Sequence, residues 1–100
     1  MYLKTCMEEF LVEIGFEQKE ADVYVSLLRL GPSPASAVAH ETGYERTSTY
    51  YLLLRMHEKG YVAQSSDEGV KTFVATSPER IKDSLHEKQQ ILERIMPQLD

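Results

Sequence analysis

Apolar residues recur every three or four positions through the first 30 residues, a spacing that places them on one face of an α-helix. The pattern predicts a helix over residues 3–14, ended by Gly15, and a second helix over 17–30. The apolar positions that define the first helix are Leu3, Met7, Phe10, Leu11 and Ile14. Those that define the second are Ala21, Tyr24, Val25 and Leu28, which are expected to form one buried face. Two prolines in the segment 31–34 favour an extended connector after the second helix.

Two shorter helical segments follow, and each is bounded by a glycine. A helix over 35–42 is expected to end at Gly43 with positive φ, and a helix over 46–59 is expected to end at Gly60. The residues predicted to face inward are Ala35, Val38 and Ala39 on the first, and Thr49, Leu52, Leu53 and Met56 on the second.

After the fourth helix the apolar period changes from about 3.6 to about 2, the period of a β-strand. Residues 61–64 and 71–75 are strand-like, and the segment 65–69 between them is rich in turn-forming residues. The pattern therefore predicts a β-hairpin in which 65–69 form the loop.

The last segment starts with Ser77-Pro78-Glu79, a cap, a first-turn proline and a first-turn acid, which is typical of a helix start. The helix is predicted to continue toward residue 96, where Pro97 is expected to break it. Six residues spaced by four and three form a coiled-coil seam with one polar position: Ile81, Leu85, Lys88, Leu92, Ile95 and Leu99. The seam predicts a homodimer; the alternative is that it packs on the first helix of its own domain.

The order of these elements predicts a mainly α (α+β) fold, a winged helix-turn-helix with a C-terminal dimerisation helix. Residues 1–76 would form the winged domain and 77–100 the dimerisation helix. An α-helix fits the major groove of duplex DNA while the preceding helix braces it against the backbone. The helix at 46–59 is therefore the expected recognition helix, and double-stranded DNA the expected partner.

Seven side chains are candidates for contacts with DNA. Arginine pairs bidentately with guanine or neutralises a phosphate, and hydroxyl groups reach phosphates or base edges. The residues predicted to read the groove are Arg46, Thr47, Ser48 and Tyr51, and those predicted to hold the backbone are Ser36, Arg55 and Lys71.

The net charge of −5 is unusual for a protein that binds DNA. Residues 15–76 carry six Lys or Arg and eight Asp or Glu, a balance of 6 − 8 = −2, which predicts weak binding with a shallow salt dependence. The acidic wing, together with Tyr51 and Leu54 if they point outward, leaves an alternative open: a winged-helix protein-interaction module that does not bind DNA.

Other classes of function have little support in the sequence. No two of the three histidines, His40, His57 and His86, lie three or four residues apart, so a metal site is not expected. One cysteine, Cys6, excludes an internal disulfide bond. No catalytic motif, apolar run of membrane-spanning length or signal-peptide pattern occurs, which predicts a cytoplasmic protein without enzyme activity or cofactor.

Four stretches resemble the N-terminal domain of the TrmB family of transcriptional regulators. They are IGFEQKEADVY at 14–24, LLRLGP at 27–32, RTSTY at 46–50 and EKGYV at 58–62, and the likeness spans roughly residues 11–85. The resemblance implies binding to a specific operator, dimerisation and, in many members, a separate C-terminal sugar-binding domain. Because the sequence given ends at Asp100, it corresponds to a short stand-alone regulator or to a fragment.

The sequence departs from the family pattern at positions that affect phosphate affinity. Glu17 stands where members usually carry a Thr or Ser cap, and Ser48 and Leu54 stand where basic residues are common. The wing is acidic at Asp67 and Glu68, where family wings are often basic. Each departure is expected to weaken binding to DNA phosphates.

Overall fold

Five helices and one antiparallel hairpin make up residues 6–99, the part of the chain that the computed structural model describes. The elements are α1 (Cys6–Glu13), α2 (Gln18–Leu30), α3 (Ala35–Thr42), α4 (Arg46–Glu58), β1 (Val62–Asp67), β2 (Val70–Ala75) and α5 (Pro78–Leu99). This order confirms the predicted fold class; the predicted position of Leu3 lies outside the described residues. No helix of the described part is long and apolar enough to cross a membrane.

The core surrounds α2, which is buried from Glu20 through Leu27. The predicted inner face of α4 is confirmed, because its four residues are all at most 5% exposed. The predicted inner position of Leu28 is wrong: its side chain is 47% exposed, while that of Leu27 is 1% exposed. Since α1, α3, α4 and β2 all pack on α2, its buried surface is wider than one helical stripe.

A tight turn joins α3 to α4 as the sequence predicts. Gly43 has φ +80°, the left-handed conformation that glycine adopts without steric cost, and its N–H donates to the carbonyl of Ala39 at 2.9 Å. The hydroxyl of Thr42 donates to the Val38 carbonyl at 2.9 Å. These bonds close α3 and fix the direction in which α4 begins.

The wing is longer and its turn shorter than predicted. Asp67 pairs with Val70, so the hairpin loop is the two-residue turn Glu68-Gly69, and Ser65 and Ser66 belong to β1. Both loop residues have positive φ, +49° and +82°, which suits a hairpin turn because it matches the twist of the strands. The predicted loop at 65–69 is therefore wrong in its first three residues.

The connector between α2 and α3 is extended, as predicted, and holds the base of the wing. Ser33 forms an isolated antiparallel bridge with Phe73 in β2. The N–H of Ser33 donates to the Phe73 carbonyl at 2.9 Å, and the N–H of Phe73 donates to the Ser33 carbonyl at 2.8 Å. Because Phe73 is 1% exposed, the wing is anchored in the core at this point.

Helix α5 leaves the core after its first turn. Ile81 is 7% exposed, whereas Leu85, Leu92 and Leu99 are 37%, 50% and 70% exposed. The alternative that the seam packs on its own domain is therefore wrong for the described residues. The expected break at Pro97 is also wrong, since α5 continues to Leu99. Pro97 lies in the last turn, so its missing N–H removes a hydrogen bond only at the helix end.

Candidate nucleic-acid interface

The first turn of α4 projects from the body of the domain. Arg46, Thr47 and Ser48 are exposed, and Tyr51 in the next turn is 56% exposed. The hydroxyl of Ser48 donates to the carbonyl of the N-cap residue Glu45 at 3.2 Å, which leaves its oxygen free to accept a bond. The leading turn of α4 is therefore accessible.

One cleft, which we call the wing-side cleft, lies between the start of α3, the first two turns of α4 and β2. It has a volume of about 330 Å³ and is open to solvent. Five of the seven residues predicted to contact DNA line it: Ser36, Arg46, Thr47, Tyr51 and Lys71. Lys71 Nζ lies 5.9 Å from the centre of the Tyr50 ring. No carboxylate of the described residues lines this cleft.

A second cleft, the α2-side cleft, lies between the first turn of α2 and the other flank of α4. It has a volume of about 90 Å³ and contains the two remaining predicted residues, Ser48 and Arg55. It also contains Lys19 and Tyr44, which the sequence analysis missed, and one carboxylate, Glu17. Lys19 precedes α4 by more than 25 residues, so no local pattern connects it with the recognition helix.

The charge around α4 differs from that of the whole chain. Four cationic side chains line the two clefts, Arg46 and Lys71 on one flank and Lys19 and Arg55 on the other. Glu17 is the one acid among the lining residues, although the chain carries 16 acids and 11 Lys or Arg. The wing-tip acids line neither cleft, nor does the exposed N-cap residue Glu45. A predominantly positive surface thus flanks α4.

The turn before α4 is fixed to α2 through a buried carboxylate. The Tyr44 hydroxyl donates to Asp22 Oδ2, and Gln18 Nε2 donates to Asp22 Oδ1 at 2.9 Å. Asp22 is fully buried. Burial of the phenol, followed by the hydrogen bond to Asp22 and its negative charge, raises the pKa of Tyr44 to about 12. The position of α4 therefore depends on a neutral tyrosine at its leading end.

We expect Tyr44→Phe to lose stability less steeply than the wild type as the pH rises from 10 toward 12. The pKa of Tyr44 is raised from 10.0, so its contribution to stability is complete below pH 10 and is lost as the pH passes through about 12. Denaturant unfolding across this range measures the difference between the two proteins. Parallel stability curves would show that Tyr44 titrates normally.

Of the two residues discussed as pointing outward from α4, Tyr51 and Leu54, only Tyr51 does so. Tyr51 is exposed, but Leu54 is half-buried and packs against the core. Tyr24 is 2% exposed, as predicted, and Tyr50 packs against the core beside Phe73. The exposed apolar area on α4 is therefore smaller than the sequence indicated.

Comparison with known proteins identifies relatives of this domain. The family model described as "Sugar-specific transcriptional regulator TrmB" matches residues 11–79. The HTH-type sugar sensing transcriptional regulator TrmBL1 of Pyrococcus furiosus is 38% identical over 52 residues, which are 52% of this chain and 15% of TrmBL1. The chain thus matches a small part of the length of that relative.

Solved structures share the winged-helix fold. TrmBL2, described as an archaeal chromatin protein with a novel mode of DNA binding, has a TM-score of 0.76 and 23% identity over 97% of this chain and 37% of its own. A possible transcriptional regulator from Methanosarcina mazei has a TM-score of 0.69 and 16% identity over 91% of this chain and 84% of its own. A MarR family protein from Bacillus stearothermophilus has a TM-score of 0.63 and 23% identity over 87% of this chain and 64% of its own.

These findings confirm the fold and the family predicted from the sequence, and both the family model and TrmBL1 are described as transcriptional regulators. The family match covers well over half of the chain and includes α2, α3, α4 and the wing. The chain belongs to the TrmB family of transcriptional regulators.

Proposed function

We propose that this chain binds double-stranded DNA as a homodimeric transcriptional regulator, with α4 in the major groove. The observation that carries the proposal is the predominantly positive surface on both flanks of an accessible α4, in a chain of net charge −5. Membership of a family of transcriptional regulators supports it. Phosphate contacts supply most of the affinity of such proteins, so the location of the cations matters more than their total.

The side chains divide into two groups by their place on the interface. Arg46, Thr47, Ser48 and Tyr51 are on the leading turns of α4, where they would meet base edges. Ser36 at the start of α3, Arg55 further along α4 and Lys71 on the wing would hold phosphates. The positive end of the α4 dipole points toward the DNA in this arrangement.

Dimerisation is proposed through residues 77–100, with 1–76 as the DNA-binding unit. Beyond Ile81, the seam residues Leu85, Lys88, Leu92, Ile95 and Leu99 are exposed on α5. A second copy would cover them, and Lys88 can lay its stem along the seam while its ammonium group stays in water. Two recognition helices one DNA turn apart would then read a palindromic site.

The central test is Arg46→Ala, assayed by fluorescence anisotropy on a duplex selected from a random library with the wild-type protein. We expect specific affinity to fall by ~1–3 kcal/mol, roughly fivefold to 150-fold, which is the usual contribution of a bidentate arginine contact. Arg94→Ala, on the exposed outer side of α5, is the control and should bind as the wild type does. Unchanged binding by Arg46→Ala would remove Arg46 from the interface.

A second candidate function is docking of another protein without DNA. The exposed Tyr51 ring on α4 and the two acids at the wing tip, Asp67 and Glu68, favour it. A titration with random duplex at low and at moderate salt separates the two functions. Binding that weakens as salt rises supports the DNA-binding function, whereas no binding at low salt supports the protein-docking function.

A further inference from the structure

We propose that the α2-side cleft is a second site for a backbone phosphate, in which Lys19 contacts the DNA strand on the side of the major groove away from the wing. The proposal rests on the proposed function and adds to it a contact between Lys19 and the DNA strand away from the wing. Lys19 shares this cleft with Ser48 and Arg55 of α4.

The dimensions of the groove call for cations on both flanks of the recognition helix. The major groove is about 12 Å wide, and an α-helix with its side chains is about 10–12 Å across, so the helix fills the groove and faces a phosphate backbone on each side. At about 100° per residue, Arg46 and Tyr50 lie on one flank of α4, and Ser48 and Arg55 lie on the other. The wing serves the first flank, and Lys19 extends the cationic surface of the second.

The ammonium group of Lys19 is held at the cleft without being neutralised. Its Nζ lies 5.3 Å from the centre of the Tyr44 ring, a cation–π contact, and Tyr44 is itself fixed by its hydrogen bond to Asp22. Lys19 is exposed and takes part in no ion pair within residues 6–99. Its charge is therefore available to a ligand at the cleft.

Helix stability does not account for a lysine at this position. Lys19 is the second residue of α2, where a positive charge opposes the helix dipole. A phosphate in the cleft would reverse this effect, because an anion near the start of α2 interacts favourably with both the dipole and the lysine. The placement is unfavourable in the free protein and favourable in the complex.

Glu17 is the one carboxylate among the residues that line the cleft. Its presence allows a test in which one substitution should raise the affinity for DNA and another should lower it. A carboxylate beside a bound phosphate repels it, so neutralising Glu17 should strengthen binding while neutralising Lys19 should weaken it. Glu17→Gln keeps the backbone N–H that Glu20 Oε1 accepts at 2.9 Å.

The experiment compares the wild type, Lys19→Ala and Glu17→Gln on the selected duplex over a range of salt concentrations. We expect Lys19→Ala to bind roughly tenfold more weakly, with a salt slope smaller by about 1 for each lysine removed and with unchanged sequence preference. Glu17→Gln should bind more tightly. Phosphate ethylation interference should lose a signal on one strand with Lys19→Ala and on the opposite side of the groove with Lys71→Ala.

The outcomes separate this inference from the proposed function. If the wild type binds the duplex and Lys19→Ala has the same affinity and salt slope, the second phosphate site is wrong and the proposed function stands. If Lys19→Ala changes sequence preference or lowers the thermal unfolding temperature, Lys19 has a structural role and the proposal is overturned. If the wild type binds no duplex, the proposed function and this site are both wrong.

Discussion

Replacing Leu92 and Ile95 together by aspartate is expected to yield a folded monomer whose affinity for a palindromic duplex is lower by about 10²–10⁴-fold. Two linked binding units gain an affinity of this order over one unit through effective concentration. Sedimentation equilibrium measures the change in mass, and fluorescence anisotropy measures the change in affinity. The expected effect on DNA binding is indirect, since neither residue lies near α4.

The exposed apolar face of α5 that contains Leu92 and Ile95 is wider than the predicted seam. Ile91 and Met96, which the seam spacing does not include, are 50% and 52% exposed beside Leu92 and Ile95. A contiguous exposed apolar face of this kind is typical of an interaction surface. Because the side chains of α5 beyond Ile81 contribute little to the core, aspartate at positions 92 and 95 should leave the winged domain intact.

The matched control is His86→Asp with Gln90→Asp. These two residues are also exposed on α5 but lie on the face away from the seam, and the pair adds the same charge as the test pair. The control protein should remain dimeric and keep its affinity. A test variant that stays dimeric would exclude the α5 seam as the dimer interface, and a monomeric test variant with unchanged affinity would show that binding does not require the dimer.

Elements whose pattern is set by local spacing could be predicted from the sequence. The inner face of α4 and the turn at Gly43 were predicted correctly, because helical period and the left-handed preference of glycine act within a few residues. The loop of the wing was misjudged since Ser65 and Ser66 are common in turns, yet cross-strand pairing with Lys71 and Thr72 keeps them in β1. Tertiary pairing outweighed local preference there.

The site was predictable along α4 but not across elements. Arg46 and its neighbours follow from the position of the recognition helix in the fold, and the structure brings Ser36 and Lys71 to the same cleft. Lys19 and Tyr44 come together with α4 only through the packing of α2, which the amphipathic pattern of a single helix does not specify. The sequence analysis therefore predicted the polar and charged residues on the wing side of α4, but on the α2 side it predicted only Ser48 and Arg55.

The largest effect on stability is expected from Lys59→Met, which should lower the free energy of unfolding by about 1–2 kcal/mol, between the values for an exposed and for a fully buried ion pair, because only the carboxylate is buried. Lys59 Nζ lies 2.6 Å from Glu20 Oε2, and Glu20 is 1% exposed while the lysine side chain is 45% exposed. Methionine retains the apolar stem but leaves the carboxylate buried without its partner. Urea denaturation monitored by circular dichroism measures the loss.

The double variant Glu20→Gln, Lys59→Met provides the control and should recover most of the lost stability, because it removes the unpaired charge. Glutamine can still accept the N–H of Glu17, which Glu20 Oε1 accepts at 2.9 Å. A Lys59→Met protein as stable as the wild type would show that the pair does not stabilise the fold.

The same pair predicts how the difference between wild type and Lys59→Met should change with pH. The hydrogen bond to Glu20 raises the pKa of Lys59 above its ordinary value of 10.5, with burial acting in the opposite direction. A raised pKa means that the folded state retains the proton more tightly, so the stability from this proton is complete below pH 10.5 and is lost above it. The stability difference between the two proteins should therefore be constant at neutral pH and shrink above pH 10.5. A difference that stays constant through the alkaline range would show that the effect of the substitution does not come from the charge of Lys59.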